Sequence, residues 1–264
     1  MIDAAVGFTE FQSTDVIVAA YPKAGTNFTV GIIMSIYKEK GLIAPGVPPV
    51  AHTLNIEMKP PSSFGLEIRR ADNTSEDPLV HIRSLQSSRI LKTHLSWDIL
   101  SCNIGAKAKI IHCIRNPKDV VCSYYSFLHK LKLLTPDTTW NRFFDYFIKG
   151  NVLYGSYTSY MRKWYPYRNL ANVLNIQFED MKENLENNVR EIAQFLDIKL
   201  TEEQITRISN ANTFDHKKQE AGKGHVLYRL GKSGGWRSQL TVEQNEIMNE
   251  WIKTELDGME DLKL

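Results

Sequence analysis

The sequence predicts a single α/β domain, residues 1–264, with a central, mostly parallel β-sheet flanked by helices. Short apolar segments rich in β-branched residues alternate with longer helical segments along the chain, and such alternation is typical of a parallel sheet covered on both faces. No Pro/Gly/Ser-rich linker or internal repeat divides the 264 residues, so one domain is the simplest organisation. We expect the functional residues at the carboxyl ends of the strands, where folds of this class bind their ligands.

Four strands and five helices are predicted from hydrophobic periodicity and from their flanking residues. The strands lie at Val16–Ala20, 89–93, Lys109–Ile114 and Val173–Gln177. The helices lie near 27–40, 117–131, 140–149, 154–162 and 185–196. The segment 43–88 is rich in proline, serine and charge and is expected to form long loops with short helical pieces beside the site.

Composition excludes several classes of function. The net charge of +2 is too small to indicate nucleic-acid binding. The cysteines Cys102, Cys113 and Cys122 are few and lack metal-ligand spacing, which indicates a reducing compartment and no metal site. The first residues lack a signal-peptide pattern, and no run of roughly eighteen apolar residues could cross a membrane. We therefore expect a cytoplasmic protein without a membrane partner.

The first strand ends in a turn that is suited to an anion. Residues 21–28 read Tyr-Pro-Lys-Ala-Gly-Thr-Asn-Phe, and a helix follows, so free backbone N–H groups and the positive end of a helix dipole converge there. Gly25 allows a ligand to approach the backbone, and Lys23, Thr26 and Asn27 add a charge and two polar side chains. The alternative is an ordinary strand-to-helix turn with a surface lysine.

The turn differs from the nucleotide-binding P-loop. In the P-loop the lysine directly follows the second glycine, whereas Lys23 precedes Gly25 and the first glycine is absent. An ATP-dependent small-molecule kinase therefore stays open only as an alternative.

A second strand-turn-helix follows residue 109. Arg115 leaves the strand end, Asn116 and Pro117 are suited to begin a helix, and Ser123 lies about two helical turns further on. A planar guanidinium and a serine hydroxyl can share one phosphate. The alternative is a surface arginine.

The strand at 89–93 leads into His94. A single histidine is commonly structural, but an imidazole with a pKa near neutrality can also serve as a general base. Lys92 lies two residues before it.

Four separated motifs resemble those of the cytosolic sulfotransferases. They are Tyr-Pro-Lys-x-Gly-Thr at 21–26, Lys-Thr-His-Leu at 92–95, Arg-Asn-Pro-Lys-Asp-x-x-x-Ser-Tyr-Tyr at 115–125, and Arg-x-Gly-x-x-Gly-x-Trp at 229–236. Ser96, Leu230 and Gly235 replace a proline, a lysine and an aspartate of the family pattern, while Phe28 and Phe178 stand where the family has a tryptophan and commonly a tyrosine.

This resemblance implies the P-loop-like sulfotransferase fold and a donor, 3′-phosphoadenosine 5′-phosphosulfate (PAPS), which leaves as adenosine 3′,5′-bisphosphate (PAP). The first turn would hold the 5′-phosphosulfate, Arg115 with Ser123 the 3′-phosphate, and Phe28 with Phe214 the two faces of adenine. The cofactor-binding residues implied are Lys23, Ala24, Gly25, Thr26, Asn27, Phe28, Arg115, Ser123, Phe178, Asn212, Phe214, Arg229, Leu230 and Gly231.

The same resemblance assigns catalytic roles. His94 would be the general base, Lys23 would stabilise the leaving phosphate, Lys92 the transferring oxygens, and Ser123 would hold Lys23 aside until an acceptor binds; no metal is required. The acceptor would be a hydroxyl or amine of a small molecule such as a phenol, alcohol, steroid or alkaloid. Residues 43–88, 131–140 and 213–226 are the predicted walls and lid of its pocket.

The segment 237–246 resembles the short dimerisation segment of the family, with Arg237 in place of its lysine. It reads equally as a capped helix start at Thr241, and the two interpretations are compatible. A noncatalytic nucleotide-binding dimer therefore stays open beside the enzyme.

Overall fold

The computed structural model describes residues 11–43, 53–56, 89–104, 108–221, 234–262 and 264. Five parallel strands form one sheet in the order β2-β3-β1-β4-β5. They are β1 (Val16–Ala20), β2 (Thr53–Asn55), β3 (Ile90–Thr93), β4 (Lys109–Ile114) and β5 (Val173–Gln177). The predicted α/β class and parallel sheet are confirmed.

The four predicted strands are present, and three of them have the predicted bounds. The strand predicted at 89–93 begins one residue later, at Ile90. β2 was not predicted, because three residues within a long proline-rich segment carry no strand periodicity. The rest of that segment, from 44 to 52 and from 57 to 88, lies outside the described residues.

Ten α-helices are described, and all five predicted helices are among them. Their bounds are α1 (Thr26–Glu39), α2 (Trp97–Ile104), α3 (Pro117–Lys130), α4 (Trp140–Ile148), α5 (Tyr157–Trp164), α6 (Phe178–Glu183), α7 (Leu185–Phe195), α8 (Glu202–Ala211), α9 (Phe214–Ala221) and α10 (Val242–Glu255). Short 3₁₀ helices lie at Tyr165–Tyr167, Gly235–Ser238 and Glu260–Leu262. α9 occupies most of the described part of the predicted lid segment 213–226.

The helix predicted at 154–162 begins three residues late. Ser156 is its N-cap, and its hydroxyl accepts a hydrogen bond from the Ser159 amide. Tyr154 and Gly155 before it have φ values of 72° and 72°, a left-handed conformation that no α-helix contains. These two residues therefore form a tight turn beside the sheet.

Both faces of the sheet are covered. Every residue of β1 is buried, and successive strand residues point to opposite faces, so neither face of the central strand meets solvent. After β1, the ring of Tyr21 is the centre of an aromatic cluster and makes edge contacts with Tyr124, Phe147, Tyr157 and Tyr160. Elsewhere α1 packs against α7 and α8. This packing fixes the strand ends from which the candidate site is built.

A buried ion pair joins the amino ends of β1 and β3. The guanidinium of Arg89 donates to both carboxylate oxygens of Asp15, at 2.7 and 2.6 Å, and both side chains are almost fully buried. The Val16 amide also donates to the Arg89 carbonyl at 2.9 Å. The bidentate geometry fixes the relative position of two strands whose other ends carry Lys23 and His94.

Within the part of the chain that the structure describes, none of the helices has the length and apolar character needed to cross a membrane.

Candidate active site

The turn after β1 has a backbone that requires glycine at one position. Gly25 has a φ of 127°, a conformation in which a side chain would be strained, and a Cβ added there would also crowd Cδ2 of Phe178 at 3.0 Å. Lys23 also has a positive φ, 70°. The Ala24 amide donates to the Tyr21 carbonyl at 3.0 Å and closes the turn. The chain thus bends sharply from the buried strand into α1.

The N-terminus of α1 is left open toward this turn. Its N-cap residue, Gly25, offers no side-chain cap, and its first turn has no acidic residue. The Thr26 hydroxyl oxygen is buried and has no hydrogen-bond partner among the described residues. Buried polar groups are nearly always satisfied, and free helix N-terminal amides attract anions. A bound phosphate or sulfate group would accept hydrogen bonds from both the Thr26 hydroxyl and the free amides of α1.

Lys23 brings its charge to the same place. Its ammonium lies 4.0 Å from the centroid of the Phe127 ring. Phe127 and Ser123 are four residues apart on α3 and therefore lie on the same face of that helix. Burial, then the nearby charges of Arg115 and Lys130, lower the pKa of Lys23 to about 8. The contact with Phe127 was not foreseen from the sequence. The predicted contact of Ser123 with Lys23 stays a prediction.

Arg115 connects the two predicted anion motifs. Its guanidinium donates to the Lys23 carbonyl at 2.9 Å and lies 4.2 Å from the centroid of the Phe178 ring. The side chain is 8% exposed. Asn116 caps α3 as predicted, since its side chain accepts from the Lys118 amide at 2.9 Å. Cationic groups from the ends of β1 and β4 therefore lie together around one turn.

The glycine-rich C-terminal segment returns to α3. The carboxylate of Asp119 accepts hydrogen bonds from the amides of Gly234, at 2.7 Å, and Trp236, at 3.1 Å. Asp119 is buried, 1% exposed, and sequence reasoning missed it because its partners lie more than a hundred residues away. The predicted cofactor-binding residues Arg229, Leu230 and Gly231 lie outside the described residues.

His94 follows β3 and faces the end of β1. Its Nδ1 donates to the Ala20 carbonyl, at a distance of 2.7 Å, so in the neutral ring the basic lone pair is on Nε2. Burial lowers the pKa of His94 to about 4, with the charges of Lys92 and Lys23 adding to the effect and the bond to Ala20 opposing it. The ring is thus a neutral imidazole at physiological pH, the form in which a histidine accepts a proton.

Tyr154 lies against His94. The two ring centroids are 5.1 Å apart in an edge-to-face arrangement, and Tyr154 has a positive φ. Hydroxyls from the core hold this turn: Tyr21 donates to the Gly155 carbonyl at 2.7 Å and Tyr124 to the Leu153 carbonyl at 2.5 Å. Sequence reasoning missed Tyr154, although its Tyr-Gly-Ser sequence before a helix is a turn signal.

Lys92 lies between His94 and the start of α1. The register pairs Lys92 with Val18 of β1, and its ammonium lies 3.5 Å from Oδ1 of Asn27. The structure therefore brings Lys23, Asn27, Lys92, His94 and Arg115 to neighbouring positions at one edge of the sheet.

Aromatic rings lie on the other side of the turn. Phe28 and Phe178 are in edge-to-face contact, with centroids 6.2 Å apart. Phe28 and Phe214 each lie near the ammonium of Lys182. Asn212 is fully buried, and its amide nitrogen donates to Ser35 and to the Ile208 carbonyl, so it attaches the end of α8 to α1. Its predicted contact with a cofactor stays a prediction.

A family model described as the sulfotransferase domain matches residues 13–260. The chain belongs to the sulfotransferase family. It is 33% identical over 258 residues to mouse sulfotransferase 6B1, a match covering 94% of this chain and 78% of that protein. It is 32% identical over 260 residues to rat sulfotransferase 1A1, covering 92% and 85%. The predicted family is confirmed, and its members take the sulfuryl group from PAPS.

Solved structures share the fold of this sulfotransferase. Mouse sulfotransferase SULT7A1 complexed with PAP superimposes with a TM-score of 0.79 at 22% identity, covering 99% of this chain and 91% of that one. Retinol dehydratase in complex with androsterone and PAP gives a TM-score of 0.82 at 23% identity, covering 95% and 82%. The predicted sulfotransferase fold is therefore confirmed.

Proposed function

We propose that this sulfotransferase moves a sulfuryl group from PAPS to a hydroxyl, or an amine, of a small organic acceptor. The observation that carries this proposal is the hydrogen bond between Arg115 and the Lys23 carbonyl. It joins two cationic turns beside the open N-terminus of α1, and His94 faces the same strand end through the Ala20 carbonyl. A donor with phosphates at both ends of its ribose needs two such neighbouring anion sites.

The residues of the site fit the two phosphate groups of PAPS. The turn 23–27 would receive the 5′-phosphosulfate, since Thr26 offers a buried hydroxyl without a partner among the described residues and the amides of α1 carry no side-chain cap. The 3′-phosphate would bind to Arg115, just before α3, and to Ser123, about two turns along that helix. The resemblance adds Arg229 and Gly231 to that second group.

When bound, PAPS supplies an electrophilic sulfuryl group. His94 accepts the acceptor's proton at Nε2, while its bond to Ala20 fixes the tautomer and the ring orientation. The Lys23 ammonium stabilises the negative charge that develops on the 5′-phosphate side as the sulfuryl group departs. Lys92 stabilises the transferring oxygens from its position next to Asn27. Ser123 holds Lys23 aside until the acceptor is in place.

The acceptor would lie against the Tyr154 ring, on the open side of His94. An aromatic wall and a neutral imidazole favour a small apolar molecule that presents one nucleophilic group. Solved relatives are named with androsterone and with retinol, which are apolar alcohols. We propose an acceptor of that class and retain phenols, alkaloids and amines as alternatives for the assay.

Nucleotide binding tests this function against the kinase alternative. We expect PAP to bind in the absence of a divalent metal, and ATP with Mg²⁺ to bind at least tenfold more weakly, because ATP has no 3′-phosphate for Arg115. Calorimetric titration of both ligands measures the difference. Tight ATP binding with none for PAP would favour the kinase alternative and reject the proposal.

We also propose a homodimer that forms through the segment 237–246. Val242 is 78% exposed directly after the N-cap Thr241, whose capping box with Gln244 fixes the start of α10. An exposed, β-branched residue on a rigid helix start is suited to contact a second copy.

We expect Val242→Glu to convert the dimer to a monomer, because the substitution would place two like charges near the symmetry axis. Sedimentation velocity measures the change, and Leu170→Glu, at an exposed leucine elsewhere, is the matched control. A wild-type protein that sediments as a monomer, or a variant that stays dimeric, would contradict the proposed interface.

A cytoplasmic location stays a prediction. It accords with Cys113 and Cys122, which are buried thiols rather than members of a disulfide. Burial raises the pKa of Cys113 to about 12, so this thiol is kept in its unreactive form.

A further inference from the structure

One ammonium group lies against both rings that would enclose adenine. Nζ of Lys182 is 5.3 Å from the centroid of Phe28 and 4.6 Å from that of Phe214. Lys182 is on α6, which follows β5 at the site edge, whereas the two rings belong to α1 and α9. The ammonium thus lies over both rings at once, and a base that stacked on both would have to enter the gap that the ammonium covers.

The surroundings of this ammonium are those of a partly desolvated cation. Lys182 and both rings are half-buried. Withdrawal from water lowers the pKa of Lys182, the nearby carboxylate of Asp215 opposes that change, and the charge of Arg115 adds to it. Contact with aromatic faces compensates a cation for lost hydration. The gap is therefore filled by a side chain of the protein itself.

We propose that Lys182 occupies the purine slot of the nucleotide-free protein and leaves it when a base stacks between Phe28 and Phe214. A purine that stacks on both rings needs the space that the ammonium holds. The inference rests on the proposed function and on the family resemblance, which implies that adenine lies between these two rings. Its consequence is that base binding must displace two cation–π contacts, so Lys182 weakens the hold of the protein on both donor and product.

A different arrangement gives the opposite prediction. If the ammonium stayed in the slot region and donated a hydrogen bond to a purine nitrogen, removing it would weaken binding of the base. The sign of the change in affinity therefore separates an occupant of the slot from a ligand of the base.

Adenosine is the sharpest probe, because it presents the purine without phosphate charge. We expect Lys182→Ala, which removes both the ammonium and the stem that carries it into the slot, to bind adenosine roughly threefold to tenfold more tightly than the wild type. For PAP the gain should be smaller, since the variant also loses one positive charge near a polyanion. Lys38→Ala, at an exposed lysine on α1, is the matched control and should change neither affinity.

A second measurement uses the wild-type protein. With ¹³C at the ε carbons of lysine, the Lys182 signal, assigned by its loss in Lys182→Ala, should show an upfield ring-current shift that disappears when PAP is added. Equal or weaker adenosine binding by Lys182→Ala, or a Lys182 signal that PAP leaves unmoved, would overturn the inference while PAP binding still supports the proposed function. Failure to bind PAP, with the signal still upfield, would reject the proposed function and the displacement together.

Discussion

Replacement of His94 by alanine is expected to lower turnover by about 10²- to 10⁴-fold, the usual contribution of a positioned general base. His94 is the one described imidazole whose Nδ1 is fixed by the carbonyl at the end of β1, which leaves Nε2 as the basic atom. Steady-state rates with labelled donor measure the loss. PAP affinity should change little, since the phosphate groups are assigned to Lys23, Thr26 and Arg115.

His129→Ala is the matched control, because His129 is exposed near the end of α3. Its rates should equal those of the wild type. Near-normal turnover in His94→Ala would refute the assigned role.

The pH dependence of the wild type follows from the same residue. The pKa of His94 is about 4, and the base acts in its unprotonated form. The rate should therefore fall as the pH decreases through about 4 and be insensitive to this group at neutral pH. An acidic limb centred near 6.5, the ordinary value for histidine, would show that His94 is not buried in the working enzyme.

Replacement of Lys23 by methionine is the second large effect. We expect turnover to fall by about 10²- to 10³-fold, as when one preorganised charge-stabilising donor is removed from an active site. The pKa of Lys23 is about 8, so the wild-type rate should also fall as the pH rises through about 8 and the ammonium loses its proton. The rate profile with pH measures this limb, which Lys23→Met should lack.

Lys130→Met sharpens that test. The charge of Lys130 contributes to the lowered pKa of Lys23, and Lys130 itself is exposed at the end of α3. Its removal should move the alkaline limb to higher pH and leave the plateau rate unchanged. An alkaline limb that stays in place in both variants would assign it to another group.

Local features of this site were predictable from the sequence. β1 and β4 have the predicted bounds because β-branched runs between turn residues mark buried strands. The half-buried β5 also has its predicted bounds. The turn at 21–28 was recognisable because Lys23 and Gly25 lie between a buried strand and the start of a helix, and the three further motifs decided against an ordinary turn with a surface lysine. Parallel strands then bring Lys23, His94 and Arg115 to the same edge without any further information.

The contacts that shape the site were not predictable, because they join residues far apart in sequence. Tyr154 lies against His94, and the turn that carries it is bonded through Gly155 to the hydroxyl of Tyr21, 134 residues away. The contact of Phe127 with Lys23 and the Asp15–Arg89 pair likewise depend on how the elements pack. Nothing in their local sequence distinguishes these aromatic and charged residues from ordinary core or surface positions.

Transfer of label from ³⁵S-labelled PAPS measures the proposed sulfuryl transfer itself. The wild-type protein, incubated with a panel of phenols, sterols, retinoid alcohols, alkaloids and amines, should place ³⁵S on at least one acceptor and release PAP in equal amount, whereas His94→Ala should produce almost none. A wild-type protein that binds PAP but labels no acceptor would be a noncatalytic nucleotide-binding protein, and this result would contradict the account.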